Sequence, residues 1–164
     1  MINNSKNYIY IPTFLITHSK ISNALISAKR RGVDVKILMD ANSIHTRNTK
    51  HLLLKQNSIP VKVENLGGKL HSKAMIIDDE YTIIGSMNFS NSGENKNDEN
   101  LLVIKNTNIT KNYKNLFLYL WKSIPDKYLK YYPRSESKES VGSCCDGVDN
   151  NFDGKIDSQD AGCK

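Results

Sequence analysis

The chain has 164 residues, 38% hydrophobic and 24% charged, with a formal net charge of +6. It is long enough for one domain with a real core plus an appendage, and no run approaches the ~20 apolar residues of a membrane span. The charge is uneven: residues 144–164 hold five aspartates against Lys155 and Lys164, so the body is more basic than the total, which suits a polyanion such as nucleic acid or an anionic membrane surface.

Met1 to Tyr8 does not read as a signal peptide. Tyr8 to Ile16 is rich in β-formers and reads as a strand, with Pro12 marking a bulge or an edge position. Thr17 or Ser19 is placed to cap a helix whose apolar stripe is Ile21, Ala24, Leu25 and Ala28. Gly32 follows the basic turn Lys29-Arg30-Arg31, where a C-terminal cap belongs. Val33, Val35, Ile37 and Met39 alternate as a second strand ending at Asp40. Strand, helix and strand in this order predict a parallel pair in an α/β fold.

Asn42 to Asn48 reads as a loop, and Thr49 to Gln56 as a short helix burying Leu52, Leu53 and Leu54. Val61 and Val63 belong to another strand, and Gly67-Gly68 reads as a flexible bend. Asn88 to Asn97 is polar and reads as a loop, after which Glu99 opens a strand over Asn100 to Ile104. Ile109, Tyr113, Leu116, Phe117, Leu120, Trp121 and Ile124 mark a C-terminal amphipathic helix whose stripe serves the core.

The chemistry concentrates in Leu70 to Asn88, LHSKAMIIDDEYTIIGSMN. His71 and Lys73 share one face of a strand, because side chains alternate with a period of two. Asp78-Asp79-Glu80 suits a hairpin turn, and Tyr81 to Ile84 forms the returning strand, closed by Gly85-Ser86. The hairpin carries Ser86 and Asn88 back toward His71 and Lys73. A neutral imidazole is a competent nucleophile or proton shuttle near neutral pH. Lysine, serine and asparagine donate hydrogen bonds to an anionic centre with charge spread over several oxygens. No second histidine or cysteine stands at metal-ligand spacing, so the reading is a phosphate site that works without a metal. His18, His45 and His51 have no partner at such spacing and read as structural.

His71-x-Lys73-x4-Asp78-x6-Gly85-Ser86-x-Asn88 resembles the HKD motif of the phospholipase D superfamily. Ala28 to Asp40, Ile59 to Val63 and Asn97 to Ile104 are similar to segments around that motif, so the resemblance covers roughly residues 8 to 124. The small single-motif branch that includes bacterial endonucleases is the one it looks most like. The resemblance implies a phospholipase D-like mixed sheet flanked by helices, over a catalytic domain of residues 1–132. Family members usually carry another helix before the Tyr8 strand, so this domain is expected to be trimmed or to begin upstream of Met1.

The resemblance also implies a mechanism. His71 would attack phosphorus and form a phosphohistidine. Lys73, Ser86 and Asn88 would hold the phosphoryl oxygens. Glu99 matches by position the acidic residue that orients the histidine, as the third member of a catalytic triad does. Asp78 and Gly85 would be structural. The family supplies its leaving-group acid from a second motif, and this chain has one, so a homodimer with a composite site is expected. The expected activity is a metal-independent nuclease. The alternatives are a phospholipase D or phosphatidyltransferase acting on phospholipid, and a non-catalytic surface-binding protein.

After Pro133 the composition changes. Residues 133–143 read as a flexible serine-rich linker. In residues 144–164, oxygens fall at EF-hand spacing: Asp149, Asn151, Asp153, the Lys155 carbonyl, Asp157 and Asp160, with Gly154 at the sharp turn. Hard oxygen ligands suit Ca²⁺. Position 12 is Asp rather than Glu, and cysteines replace the flanking helices. The tail resembles short cysteine-flanked calcium-binding modules of surface proteins. By that likeness either Cys144 or Cys145 pairs with Cys163, leaving one cysteine over, and an extracytoplasmic or secreted setting is favoured.

Overall fold

A computed structural model describes residues 1–64, 69–140 and 143–164. The Gly67-Gly68 bend lies outside the described residues, as do Val141 and Gly142 of the 133–143 stretch. The chain forms a six-stranded mixed sheet of order β3-β2-β1-β4-β5-β6. The strands are Tyr8–Thr13 (β1), Asp34–Met39 (β2), Val61–Val63 (β3), Met75–Ile77 (β4), Tyr81–Gly85 (β5) and Leu101–Lys105 (β6). The helices are Ser19–Arg30 (α1), His51–Gln56 (α2), Asn91–Asn95 (α3) and Thr107–Ser123 (α4).

The alternation of β1 places the two halves of the core. Ile9 and Ile11 point to one face, where Leu25 and Ala28 of α1 and Leu54 of α2 cover them. Tyr8 and Tyr10 point to the other, against Phe117, Ile124 and Tyr128. The β1-α1-β2 unit is parallel, with Ile9 opposite Val35 and Ile11 opposite Ile37. Gly32 has φ +93, a left-handed conformation that lets the chain leave α1 and turn into β2. β4 and β5 form the expected hairpin, with Met75 opposite Ile83. Asp78 and Asp79 both have φ +55, as a tight turn matched to strand twist requires.

Several expectations are corrected. β1 lies inside the sheet, so Pro12 is not at an edge. It is tolerated because the regular β1–β4 ladder stops at Tyr10 opposite Ile76, leaving Thr13 and Lys73 as an isolated bridge. The Pro12 carbonyl still accepts from Ala74 N at 3.1 Å. The cap of α1 is His18 rather than Thr17 or Ser19. Of the three leucines in α2 only Leu54 is buried, while Leu52 and Leu53 are exposed. Neighbouring residues on a helix are about 100° apart, so three in a row cannot share one face. Within the segment read as a loop, Ser90 caps the short helix α3 by accepting from Gly93 N at 3.0 Å. In α4, Phe117 is buried but Ile109 and Leu116 are exposed, so the stripe is narrower than expected.

The stretch read as a flexible linker is packed. Ser135, Glu136, Ser137, Ser140 and Ser143 are all buried. Glu136 accepts from Asn150 N at 2.9 Å and Asp157 N at 2.6 Å, so its carboxylate anchors the tail. Cys144 pairs with Cys163. No helix among the described residues is long and apolar enough to cross a membrane.

Candidate active site

The site forms where β1 ends. Beyond Thr13 the chain runs between two segments. On one side, Phe14 N donates to the Ser72 carbonyl at 2.8 Å. On the other, Ile16 bridges Phe89, whose carbonyl accepts from Thr17 N and His18 N at 3.0 Å each. Segments 71–73 and 86–90 are thereby set at the same end of the sheet. His71 and Lys73 precede the regular part of β4 rather than lying in it, yet they keep its antiparallel register through the Thr13–Lys73 bridge.

His71 is exposed, and among the described residues no hydrogen bond reaches its ring nitrogens. Its ring meets Phe14 edge-on, with centroids 5.1 Å apart. Lys73 is buried, and its Nζ donates to the His71 carbonyl at 2.8 Å. Partial burial, then the Lys73 and Lys69 ammoniums, hold the His71 pKa below its ordinary 6.5, against an opposing pull from Asp40. The neutral ring is therefore the resting form near neutral pH. Burial lowers the Lys73 pKa too, opposed by Glu99 and Asp40.

Ser86 Oγ donates to Glu99 Oε2 and accepts from Asn100 N at 3.0 Å, while Asn97 Nδ2 donates to Glu99 Oε1 at 3.0 Å. Glu99 is thus bonded to Ser86, not to His71, which corrects the expected triad-like contact. The cause is register: Gly85 stands opposite Leu101 across β5 and β6, so Ser86 faces the residues that lead into β6. The bond to Ser86, then that to Asn97, keeps the Glu99 pKa low, with a smaller contribution from Lys73. Asn88 Oδ1 is buried with no hydrogen-bond partner among the described residues.

Asp78 sits away from this chemistry. Its carboxylate accepts from the backbone N–H of Lys6, Asn7 and Tyr8 at 2.7–2.8 Å and orders the entry into β1. Gly85 is needed for space, since a Cβ there would lie 2.1 Å from the Asn100 carbonyl oxygen.

One contributor escaped sequence reasoning. Asp40, almost fully buried at the end of β2, accepts from Leu70 N and Asn42 N at 2.8 Å each. It fixes the backbone next to His71 and carries a charge that both His71 and Lys73 feel. Burial raises its pKa. The signal was available in its place at the carboxyl end of a parallel strand, where α/β sheets gather ligand-binding groups.

In the tail, Asp149 accepts from Phe152 N at 2.6 Å and Gly154 N at 2.8 Å, and Asn151 Oδ1 from Asp153 N at 2.9 Å. Asp153 accepts from Lys155 N at 3.0 Å, Asp160 Oδ2 from Asn151 Nδ2 at 2.7 Å, and Gly154 has φ +89. Asp157 turns instead to the N–H groups of Asp146 and Gly147, both at 3.2 Å. Among the described residues no three or more His, Cys, Asp or Glu side chains are gathered to hold a metal ion. The order of oxygens matches a calcium loop.

Residues 1–121 match the family described as "Cardiolipin synthase, PLD-like domain". Phospholipase D of Rickettsia prowazekii is 34% identical over 112 residues, 68% of this chain and 55% of that protein. Human mitochondrial cardiolipin hydrolase is 26% identical over 136 residues, 82% of this chain and 52% of that protein. The chain therefore spans about half the length of the curated relatives it matches. Among solved structures, Nuc of Salmonella typhimurium, a phospholipase D family member, superposes with a TM-score of 0.71 and 29% identity over 76% of this chain and 84% of Nuc. NucT of Helicobacter pylori gives 0.69 and 26% over 75% and 84%.

Proposed function

The chain belongs to the phospholipase D superfamily, and from that premise we propose that it is a phosphodiesterase that cleaves nucleic acid without a metal ion, with His71 as nucleophile. One observation carries the reading: an exposed imidazole, held neutral by its surroundings, stands beside a buried lysine whose ammonium is fixed on the histidine's own carbonyl. A neutral ring nitrogen attacks phosphorus, and the phosphorus–oxygen bond to one strand end breaks. The departing oxygen takes a proton from an acid. Water then attacks the phosphohistidine, the phosphorus–nitrogen bond breaks and the ring is released. Lys73 and Asn88 offer donors to the phosphoryl oxygens, and the Ser86 hydroxyl joins them by turning its hydrogen from Glu99 to the phosphate. The basic body favours a polyanion over a neutral lipid face.

The chain's other three histidines are poorly placed to be the acid. His18 Nε2 is held 2.6 Å from Glu94, His51 is buried edge-on against Tyr132, and His45 lies beyond β2 in a short turn. We therefore propose a homodimer in which His71 of the partner subunit donates the proton. Support comes from β6, an edge strand beside Ser86 and Glu99 that exposes Leu101, Leu102 and Val103. Mixing wild type with excess His71→Ala protein tests this: activity per wild-type chain falls in a composite dimer and stays constant in an independent monomer.

The substrate is tested by offering labelled DNA and phosphatidylcholine vesicles in excess EDTA. DNA cleavage supports the nuclease, and turnover of lipid alone replaces it with a phospholipase. Calcium binding by the tail is a separate proposal, supported by the order of its oxygens and the turn at Gly154, and it requires Asp157 to leave the Asp146 and Gly147 amides. A rise in melting temperature on adding calcium supports it, and an unchanged melt rejects it.

A further inference from the structure

The tail reaches the catalytic end of the body. Its anchor is buried: Glu136 and Asn150 are both fully buried, Glu136 holds two tail amides, and Asn42 Nδ2, from the loop after β2, donates to the Asn150 carbonyl at 3.2 Å. Two residues beyond Asn150 stands Phe152. Its backbone is left-handed at φ +63, an uncommon state for an aromatic residue, and the residue remains 61% exposed.

Phe152 is not isolated. Lys69 Nζ lies 3.4 Å from its ring centroid and 5.9 Å from that of Phe14. Phe14 is the ring that meets His71 edge-on, and Lys73 Nζ lies 5.5 Å from it. Two aromatic rings thus flank one exposed ammonium next to the nucleophile. If Phe152 served only to fasten the tail, its ring would be buried in the contact. The residue is instead exposed, with the Lys69 ammonium over its ring. Aromatic faces interleaved with lysines are the chemistry that binds single-stranded nucleic acid, bases stacking on rings while ammoniums follow the phosphates.

We propose that the tail completes the substrate site: Phe152, with Phe14 and Lys69, forms a wall beside His71 that stacks the bases of single-stranded nucleic acid. This rests on the nuclease reading and extends it to strand preference. The wall makes the enzyme favour single-stranded over double-stranded substrate, whose bases are already stacked. It also makes the bases themselves, and not only the phosphates, contribute to binding.

The test compares a single-stranded oligonucleotide with one of equal length built of abasic sites, using the full chain. Wild type should show the lower KM for the base-bearing strand. Phe152→Ala should raise that KM roughly ten-fold while leaving kcat and the abasic KM nearly unchanged, in line with the energy of a base–aromatic stack. Phe152→Trp should restore it. If Phe152→Ala changes neither KM, or raises both equally, the ring only positions the tail and the inference fails, although the nuclease reading survives. If the variant instead loses affinity for anionic phospholipid vesicles, the exposed Val148, Phe152 and Ile156 form a membrane contact and the inference also fails. If His71→Ala leaves DNA cleavage intact, the nuclease reading itself falls, and the inference with it.

Discussion

Ser86 donates its hydroxyl hydrogen to Glu99, and this bond ties the acidic residue to the Gly85-Ser86 turn rather than to His71. On the proposed mechanism Glu99 works through the Ser86 hydroxyl it holds and through its charge on Lys73. Ser86→Ala and Glu99→Gln should each lower kcat, and the double variant should be little worse than either alone, because the two residues work as one unit. Additive losses in a double-mutant cycle would instead assign Glu99 a separate role on His71.

The pH profile follows from His71. Its pKa lies below 6.5; in the proposed composite site one ring must be neutral to attack and His71 of the partner subunit protonated to donate, so kcat/KM should be bell-shaped, with its acid limb set by that depressed value. Lys69→Gln removes one of the cations that lower it. The folded pKa then rises, and the acid limb moves to higher pH. A limb that stays in place or moves down would mean that His71 is not the group titrating.

Gly85→Ala should destabilise the fold. The added methyl meets the Asn100 carbonyl at 2.1 Å, and relief requires β5 and β6 to separate next to Ser86. A loss of about 1–3 kcal/mol in urea unfolding is expected, the usual cost of overpacking. Stability equal to wild type would show that the two strands can part freely.

Glu136→Ala should release the tail. It strips two backbone amides of a buried acceptor, at about 1–3 kcal/mol for each. Limited proteolysis should then clip the chain between Pro133 and the Cys144–Cys163 loop faster than in wild type, while the melting of the body barely moves. Unchanged protection would place the anchor elsewhere.

Much of this was legible in the chain itself. Alternation in Val33 to Met39, the helical stripe before it and Gly32 between them lead directly to the parallel β1-α1-β2 unit. Asp78-Asp79 announced the hairpin that sets Ser86 beside the histidine segment. What escaped depends on contacts distant in sequence. Nothing local tells that Glu136, in a serine-rich stretch, will find the amides of Asn150 and Asp157, or that Asp40 will reach Leu70. Pro12 argued for a bulge or an edge, and only the ladder that breaks around it explains a central strand. The partner of Glu99 follows from the register of β5 on β6, which spacing alone does not set.

The central claim is that His71 becomes covalently bound to phosphorus, and trapping that species tests it most directly. Internally labelled single-stranded DNA is mixed with enzyme in excess EDTA, quenched in denaturant at alkaline pH, where a phosphorus–nitrogen bond survives, and run on a denaturing gel. Label should migrate with the protein, map to the peptide containing His71, and disappear in His71→Ala along with cleavage. Rapid cleavage with no label on the protein, or label that persists in His71→Ala, would contradict it.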